Sequence, residues 1–108
     1  MALVTGAARP RGIGRATVLR LAGGGADVAC LDIARPYDEA PAHGTGSSED
    51  LETLCAQVDA LGARCTTLVA DVSDEAAVEA AVDRVSSELG TVTLVANVAG
   101  GTSSNNMP

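Results

Sequence analysis

Tryptophan, phenylalanine and lysine are missing from this chain, and tyrosine and histidine occur once each, as Tyr37 and His43. With so few aromatics, a core drawn from the 46 % hydrophobic residues must be built of Val, Leu, Ile and Ala. Those residues suit helices layered on a parallel sheet. Basic residues are scarce as well: seven Arg stand against fourteen acids, a net charge of −7. A nucleic-acid-binding surface is not expected from that balance. No apolar run approaches the length of a membrane span, so neither a span nor a signal peptide is expected. The three cysteines, Cys30, Cys55 and Cys65, are odd in number and lack metal or redox spacing. Cys30 and Cys65 sit in apolar strand patterns and read as small buried hydrophobes. Free thiols suit a reducing compartment, so a cytoplasmic location is expected.

What the chain does have is glycine at one telling place. Thr5-Gly-Ala-Ala-Arg-Pro-Arg-Gly-Ile-Gly14 follows a short apolar run and opens a helical pattern. Gly6 permits a tight exit from the strand, and Gly12 and Gly14 let backbone and ligand approach closely. The free N–H groups of the first helical turn and the helix dipole then favour an anion. Asp32 lies eighteen residues beyond Gly14. Strand, glycine turn, helix and acid in that order form the context of a dinucleotide site. Charge follows the same division. Residues 1–35 hold five Arg against two Asp, a net of +3, whereas residues 36–108 hold two Arg against twelve acids, a net of −10. For Arg15 and Arg20 a solvated helix face is the simpler reading.

Taken in order, Ala2–Thr5 is expected to be a strand. Gly12 to about Ala22 reads as a helix with Ile13, Ala16, Thr17 and Leu21 on one face, stopped by Gly23-Gly-Gly25. Asp27–Asp32 is a second strand, apolar enough to be buried on both faces. Ile33 to Ser47 forms a long loop, beyond the roughly 2–6 residues usual for such a connection. His43 lies in it and reads as exposed. Ser47 and Asp50 match a capping box. The helix they begin carries Leu51, Leu54, Cys55, Val58 and Leu61 and ends at Gly62. Arg64–Ala70 is a third strand. Ser73 is expected to cap a third helix, with Val78, Val82, Val85 and Leu89 on its inner face and Gly90 at its end. Thr91–Ala96 is a fourth strand, followed by Asn97-Val-Ala-Gly100 and a polar tail over residues 101–108.

This alternation predicts an α/β fold: a Rossmann-type doubly wound parallel sheet of four strands in order 3-2-1-4 with three helices, in one partial domain spanning residues 1–108. Ligands of such sheets bind beyond the carboxyl ends of the strands. The glycine turn, Asp32, Asp71 and Asn97 all fall there. Asp32 can accept hydrogen bonds from both hydroxyls of an adenosine ribose, and a 2′-phosphate would meet its charge at a cost of about 1–4 kcal/mol. NAD is therefore expected rather than NADP, although Arg11 and Arg35 could pair with a 2′-phosphate. Simpler roles exist for Asp71, in capping a helix, and for Asn97, in tying neighbouring strands.

In Thr5-Gly6 … Gly12-Ile13-Gly14, Asp32, Asp71-Val72 and Asn97-Val98-Ala99-Gly100, the chain resembles the amino-terminal, cofactor-binding half of a short-chain dehydrogenase/reductase. The resemblance covers essentially the whole chain. It implies that Gly6, Arg11, Gly12, Ile13 and Gly14 line a pyrophosphate, and that Asp32 and Ile33 hold the adenosine ribose. It implies further that Asp71 and Val72 contact the adenine, and that Asn97, Ala99 and Gly100 stand by the ribose nearer the nicotinamide. The parent would be an NAD(P)-dependent oxidoreductase acting on a small-molecule alcohol or carbonyl, and a homo-oligomer. The chain departs from the family in three ways. Five residues rather than three separate Gly6 from Gly12, with Pro10-Arg11 as the addition. Val98 replaces the second Asn of an Asn-Asn-Ala-Gly motif. The family's catalytic Ser and Tyr-x-x-x-Lys lie in the second half, and this chain has no Lys; its Tyr37 falls in the early loop. No catalytic residue and no metal ligand is therefore assigned.

Two other readings compete. One is a nucleotide-binding module without chemistry. The other is a methyltransferase with a Rossmann-like sheet, against which Thr5-Gly6 and its wide glycine turn speak.

Overall fold

The computed structural model describes residues 1–34 and 47–99. Arg35, Tyr37, His43, Gly100 and the polar tail lie outside the described residues. The elements run β1 (Ala2–Thr5), α1 (Ile13–Gly23), β2 (Val28–Asp32), α2 (Ser48–Ala60), β3 (Cys65–Val69), α3 (Glu75–Glu88) and β4 (Leu94–Asn97). The four strands form one sheet in order β3-β2-β1-β4, parallel throughout. This is the expected Rossmann-type topology.

Alternation along the central strands divides the core. Val4, Val28 and Cys30 face α1 and α2, where they pack with Val18, Ala22, Leu51, Leu54 and Val58. Leu3, Ala29 and Leu31 face α3, where they meet Ala81 and Val85. A strand buried on both faces has no polar side to show, which is why β2 reads as an unbroken apolar run. Register brings the strand ends level: Thr5 pairs with Leu31 and with Asn97, and Asp32 with Val69.

The helix faces differ in part from those expected. The inner stripe of α1 is Gly14, Val18 and Ala22, not Ile13, Ala16, Thr17 and Leu21. Ile13 is 75 % exposed. The helix lies so close to the strand backbone that a small residue is needed where a hydrophobicity pattern places a large one. α3 buries Ala81 and Val85, while Val82 and Leu89 pack only partly. Its cap is Asp74, whose side chain accepts the Ala77 N–H at 3.1 Å, rather than Ser73. The capping box of α2 forms as expected: Ser47 Oγ accepts the Asp50 N–H at 3.1 Å, and Asp50 Oδ2 accepts the Ser47 N–H at 2.9 Å. Leu61 ends that helix half-exposed rather than on its inner face.

Candidate functional site

The site is built at the carboxyl edge of the sheet, around the turn between β1 and α1. Gly6 has φ +70°, in the left-handed region, and a Cβ there would come within 2.7 Å of the Ala99 backbone. A Cβ on Gly14 would strike the Gly6 carbonyl oxygen. Two glycines thus let β1, α1 and the segment after β4 meet backbone to backbone. Gly12 is the N-cap of α1 and has no side chain to satisfy the first-turn N–H groups. No acid lies in that turn either. The other two helices are different. α2 begins with a capping box and two acids, and α3 with a capping Asp and Glu75. Among the described helices, the α1 end alone keeps donors and positive dipole available for an anion. Exposed Arg11 and Ile13 flank it.

Asp32 closes β2 and is 8 % exposed. Its Oδ2 accepts the Ala8 N–H at 2.9 Å, and its Oδ1 accepts the Ala34 N–H at 2.8 Å. Ile33 beside it is half-buried. One residue after β3, the Ala70 N–H donates to the Asp32 carbonyl at 2.9 Å, which keeps the β2 and β3 exits together. Asp71 is half-buried, and its Oδ1 accepts from the Ser73 N–H at 2.9 Å and the Ser73 hydroxyl at 2.7 Å. Its carboxylate thereby shapes the turn into α3. Val72 is 47 % exposed at the same edge. Asn97 ends β4 with its side chain exposed, level with Thr5.

Thr5 opens the glycine motif, but the sequence assigned it no role of its own. It is buried, and its Oγ1 accepts N–H bonds from both Val98 and Ala99 at 3.1 Å. The tie between β1 and the end of β4 is thus made by this hydroxyl and not by the Asn97 side chain. A polar residue closing an otherwise buried strand was the available signal. The described site residues therefore gather along one edge: Gly6, Gly14 and Ala99 are in backbone proximity, and Asp32 reaches the glycine turn through Ala8.

The thiols stand apart from this edge, between α2 and the sheet. Cys30 and Cys65 Sγ atoms are 3.7 Å apart. Burial, with a hydrogen bond to Cys65, pushes the Cys55 thiol up to about 12. A hydrogen bond with Cys30, together with burial, also raises Cys65. Thiols held protonated are not nucleophiles near neutrality. Cys65 is half-buried rather than fully so. Among the described residues no group of three or more His, Cys, Asp or Glu could hold a metal ion. No helix among them is long and apolar enough to cross a membrane.

Against known proteins, the family described as short chain dehydrogenase matches residues 1–108. The (−)-trans-carveol dehydrogenase of Rhodococcus erythropolis is 38 % identical over 101 residues, covering 93 % of this chain and 35 % of the relative. The cyclohexanol dehydrogenase of Rhodococcus sp. (strain TK6) is 38 % identical over 106 residues, with coverages of 96 % and 38 %. The crystal structure of carveol dehydrogenase from Mycobacterium avium in complex with NAD aligns with a TM-score of 0.87 at 35 % identity, covering 94 % of this chain and 36 % of that one. The chain spans little more than a third of the length of these relatives.

Proposed function

The chain belongs to the short-chain dehydrogenase/reductase family, and on that footing we propose that it is the dinucleotide-binding part of an NAD-dependent oxidoreductase. The reaction of the whole protein would be hydride transfer between NAD and a small alcohol or its carbonyl partner. The carveol and cyclohexanol dehydrogenases among the relatives direct the choice of substrate to cyclic secondary alcohols.

One observation carries the reading: the uncapped, acid-free start of α1 sits over a turn that requires glycine at Gly6 and Gly14, one strand from the carboxylate of Asp32. In this proposal the first-turn N–H groups of α1, with Gly6, Gly12, Ile13 and Gly14, bind the pyrophosphate and Arg11 adds positive charge. Asp32 accepts the adenosine ribose hydroxyls, with Ile33 beside it. Each Asp32 oxygen already takes one backbone N–H and retains acceptor capacity for a hydroxyl. A 2′-phosphate in the same place would meet like charge at a cost of about 1–4 kcal/mol, which favours NAD over NADP. Asp71 and Val72 border the adenine. Asn97, Ala99 and Gly100 border the ribose nearer the nicotinamide. When bound, the nicotinamide supplies the hydride acceptor.

A general acid or base for the alcohol proton would have to come from outside the assigned residues, because the chain holds no lysine to lower a tyrosine pKa in the family's manner. The 108-residue chain by itself should therefore bind NAD only weakly and not turn it over. Following NADH absorbance with a panel of cyclic alcohols tests this. Turnover by the chain that is lost in Tyr37→Phe would contradict it. A cytoplasmic location and a homo-oligomeric parent belong to the same proposal.

A further inference from the structure

The carboxylate of Asp32 holds two backbone segments that are far apart in sequence. Ala8, whose N–H donates to Oδ2, lies 24 residues upstream in the glycine turn. Ala34, whose N–H donates to Oδ1, is the second residue past β2 and has φ +56°, a left-handed conformation that a residue with a Cβ rarely adopts.

The turn has a form that needs such a hold. Of the five residues between Gly6 and Gly12, Ala7 and Ala8 are buried, whereas Arg9, Pro10 and Arg11 are exposed. The Gly12 N–H donates to the Arg9 carbonyl at 3.0 Å and closes a tight turn over those exposed residues. The extra length is thus spent in a projecting tip, while the base stays packed. Gly6 and Ala7 N–H groups both donate to the Leu31 carbonyl, at 2.8 and 3.3 Å. At Ala8 the hold passes to the Asp32 side chain.

We infer that Asp32 is a positioning residue for the glycine turn as well as a ribose contact: its carboxylate clamps Ala8 and Ala34 so that turn base and β2 exit share one arrangement before any ligand arrives. A carboxylate can accept both N–H bonds at once. The amide of an Asn cannot, since one of its two terminal atoms is itself a donor. The clamp is made entirely of the chain's own groups. Only its consequence for nucleotide binding rests on the function proposed above.

The test is hydrogen–deuterium exchange on the full-length gene product without nucleotide, with single-amide resolution over residues 6–12 and 33–34. In the wild type, the Ala8 N–H exchanges roughly ten-fold or more slowly than the Arg9 and Arg11 amides of the tip. Asp32→Asn accelerates exchange at Ala8, at Ala34 or at both by roughly ten-fold, because a charge-assisted bond is lost. Amides around Asp27 and Arg64, at the opposite end of the sheet, keep their wild-type rates. Free exchange of Ala8 in the wild type would overturn the inference even if the variant does not fold. So would unchanged rates at both Ala8 and Ala34 in a folded variant, or loosening that is equal at the Asp27–Arg64 end. An NAD titration of the wild type separates the two claims. A protected Ala8 without NAD binding removes the proposed function and leaves the clamp. NAD binding with an unprotected Ala8 does the reverse.

Discussion

A Cβ on Gly14 would strike the carbonyl oxygen of Gly6 and stand 2.8 Å from its carbon. Helix α1 and the strand exit therefore touch backbone to backbone, and the pair has no flexible side chain to move aside. Gly14→Ala should destabilise the fold by about 2 kcal/mol, the scale of overpacking in a tight interior. It should also lower NAD affinity at least roughly ten-fold, since the first-turn N–H groups shift with the helix. Urea denaturation and calorimetry check the two effects. Gly23→Ala, where an added Cβ meets nothing within 4 Å in the last turn of the same helix, is the matched control and should cost neither stability nor affinity.

Asp32 should set the cofactor preference. In the proposed site Asp32→Ala would remove a ribose acceptor and the like charge opposing a 2′-phosphate, so NAD binding should weaken and discrimination against NADP should relax. Titrating both cofactors on wild type and variant measures this. Tighter NADP than NAD binding by the wild type would show that Arg11 and its neighbours outweigh the carboxylate.

The far end of the sheet should contribute a small acid sensitivity. Arg64 donates its backbone N–H to Asp27 Oδ1 at 2.8 Å, and its guanidinium donates to Oδ2 at 3.0 and 3.1 Å. The backbone bond first, and the guanidinium second, hold the Asp27 carboxyl below its ordinary value. A carboxylate with a lowered folded pKa stabilises the fold fully above its unfolded pKa of about 4 and loses that contribution as pH falls through the folded value. Glu88, lowered by Thr66 and then Arg84, acts in the same direction. Urea midpoints measured from neutral pH downward should fall below about pH 4, and Asp27→Asn should flatten part of that fall. The pair is exposed, so the effect is small.

Much of this architecture was legible in the sequence, and the failures are physically instructive. The alternation of apolar runs and glycine stops located all seven elements found among the described residues, and Ser47 with Asp50 marked a helix start that the structure reproduces. The inner face of α1 was misread because Gly14 faces inward through lacking a side chain, and a hydrophobic pattern has no symbol for that. The cap of α3 moved from Ser73 to Asp74 because Asp71 binds the Ser73 hydroxyl and leaves it otherwise engaged. At the site, Asp32 was visible as an acid after a strand. Its bond to Ala8 was not, since it joins residues that only the fold brings together. The bonds from Thr5 to Val98 and Ala99 were hidden for the same reason.

The β4 edge should govern behaviour of the 108-residue chain on its own. Leu94 and Val95 are 44 % and 51 % exposed on a strand that ends the described sheet. Such an edge pairs readily with other chains. Expressed alone, the chain should associate or melt without cooperativity, and Val95→Lys should raise the soluble fraction. Size-exclusion chromatography and a thermal melt check this; a sharp melt of a soluble monomer would contradict it.

The carboxyl edge of this sheet is proposed to bind a dinucleotide through the start of α1. Calorimetric titration of the folded protein with NAD tests it most directly, with Gly14→Ala and S-adenosylmethionine as comparisons. Saturable NAD binding is expected, weakened at least roughly ten-fold by Gly14→Ala, with no binding of S-adenosylmethionine. A folded wild type that ignores NAD, or that takes S-adenosylmethionine in its place, would contradict it.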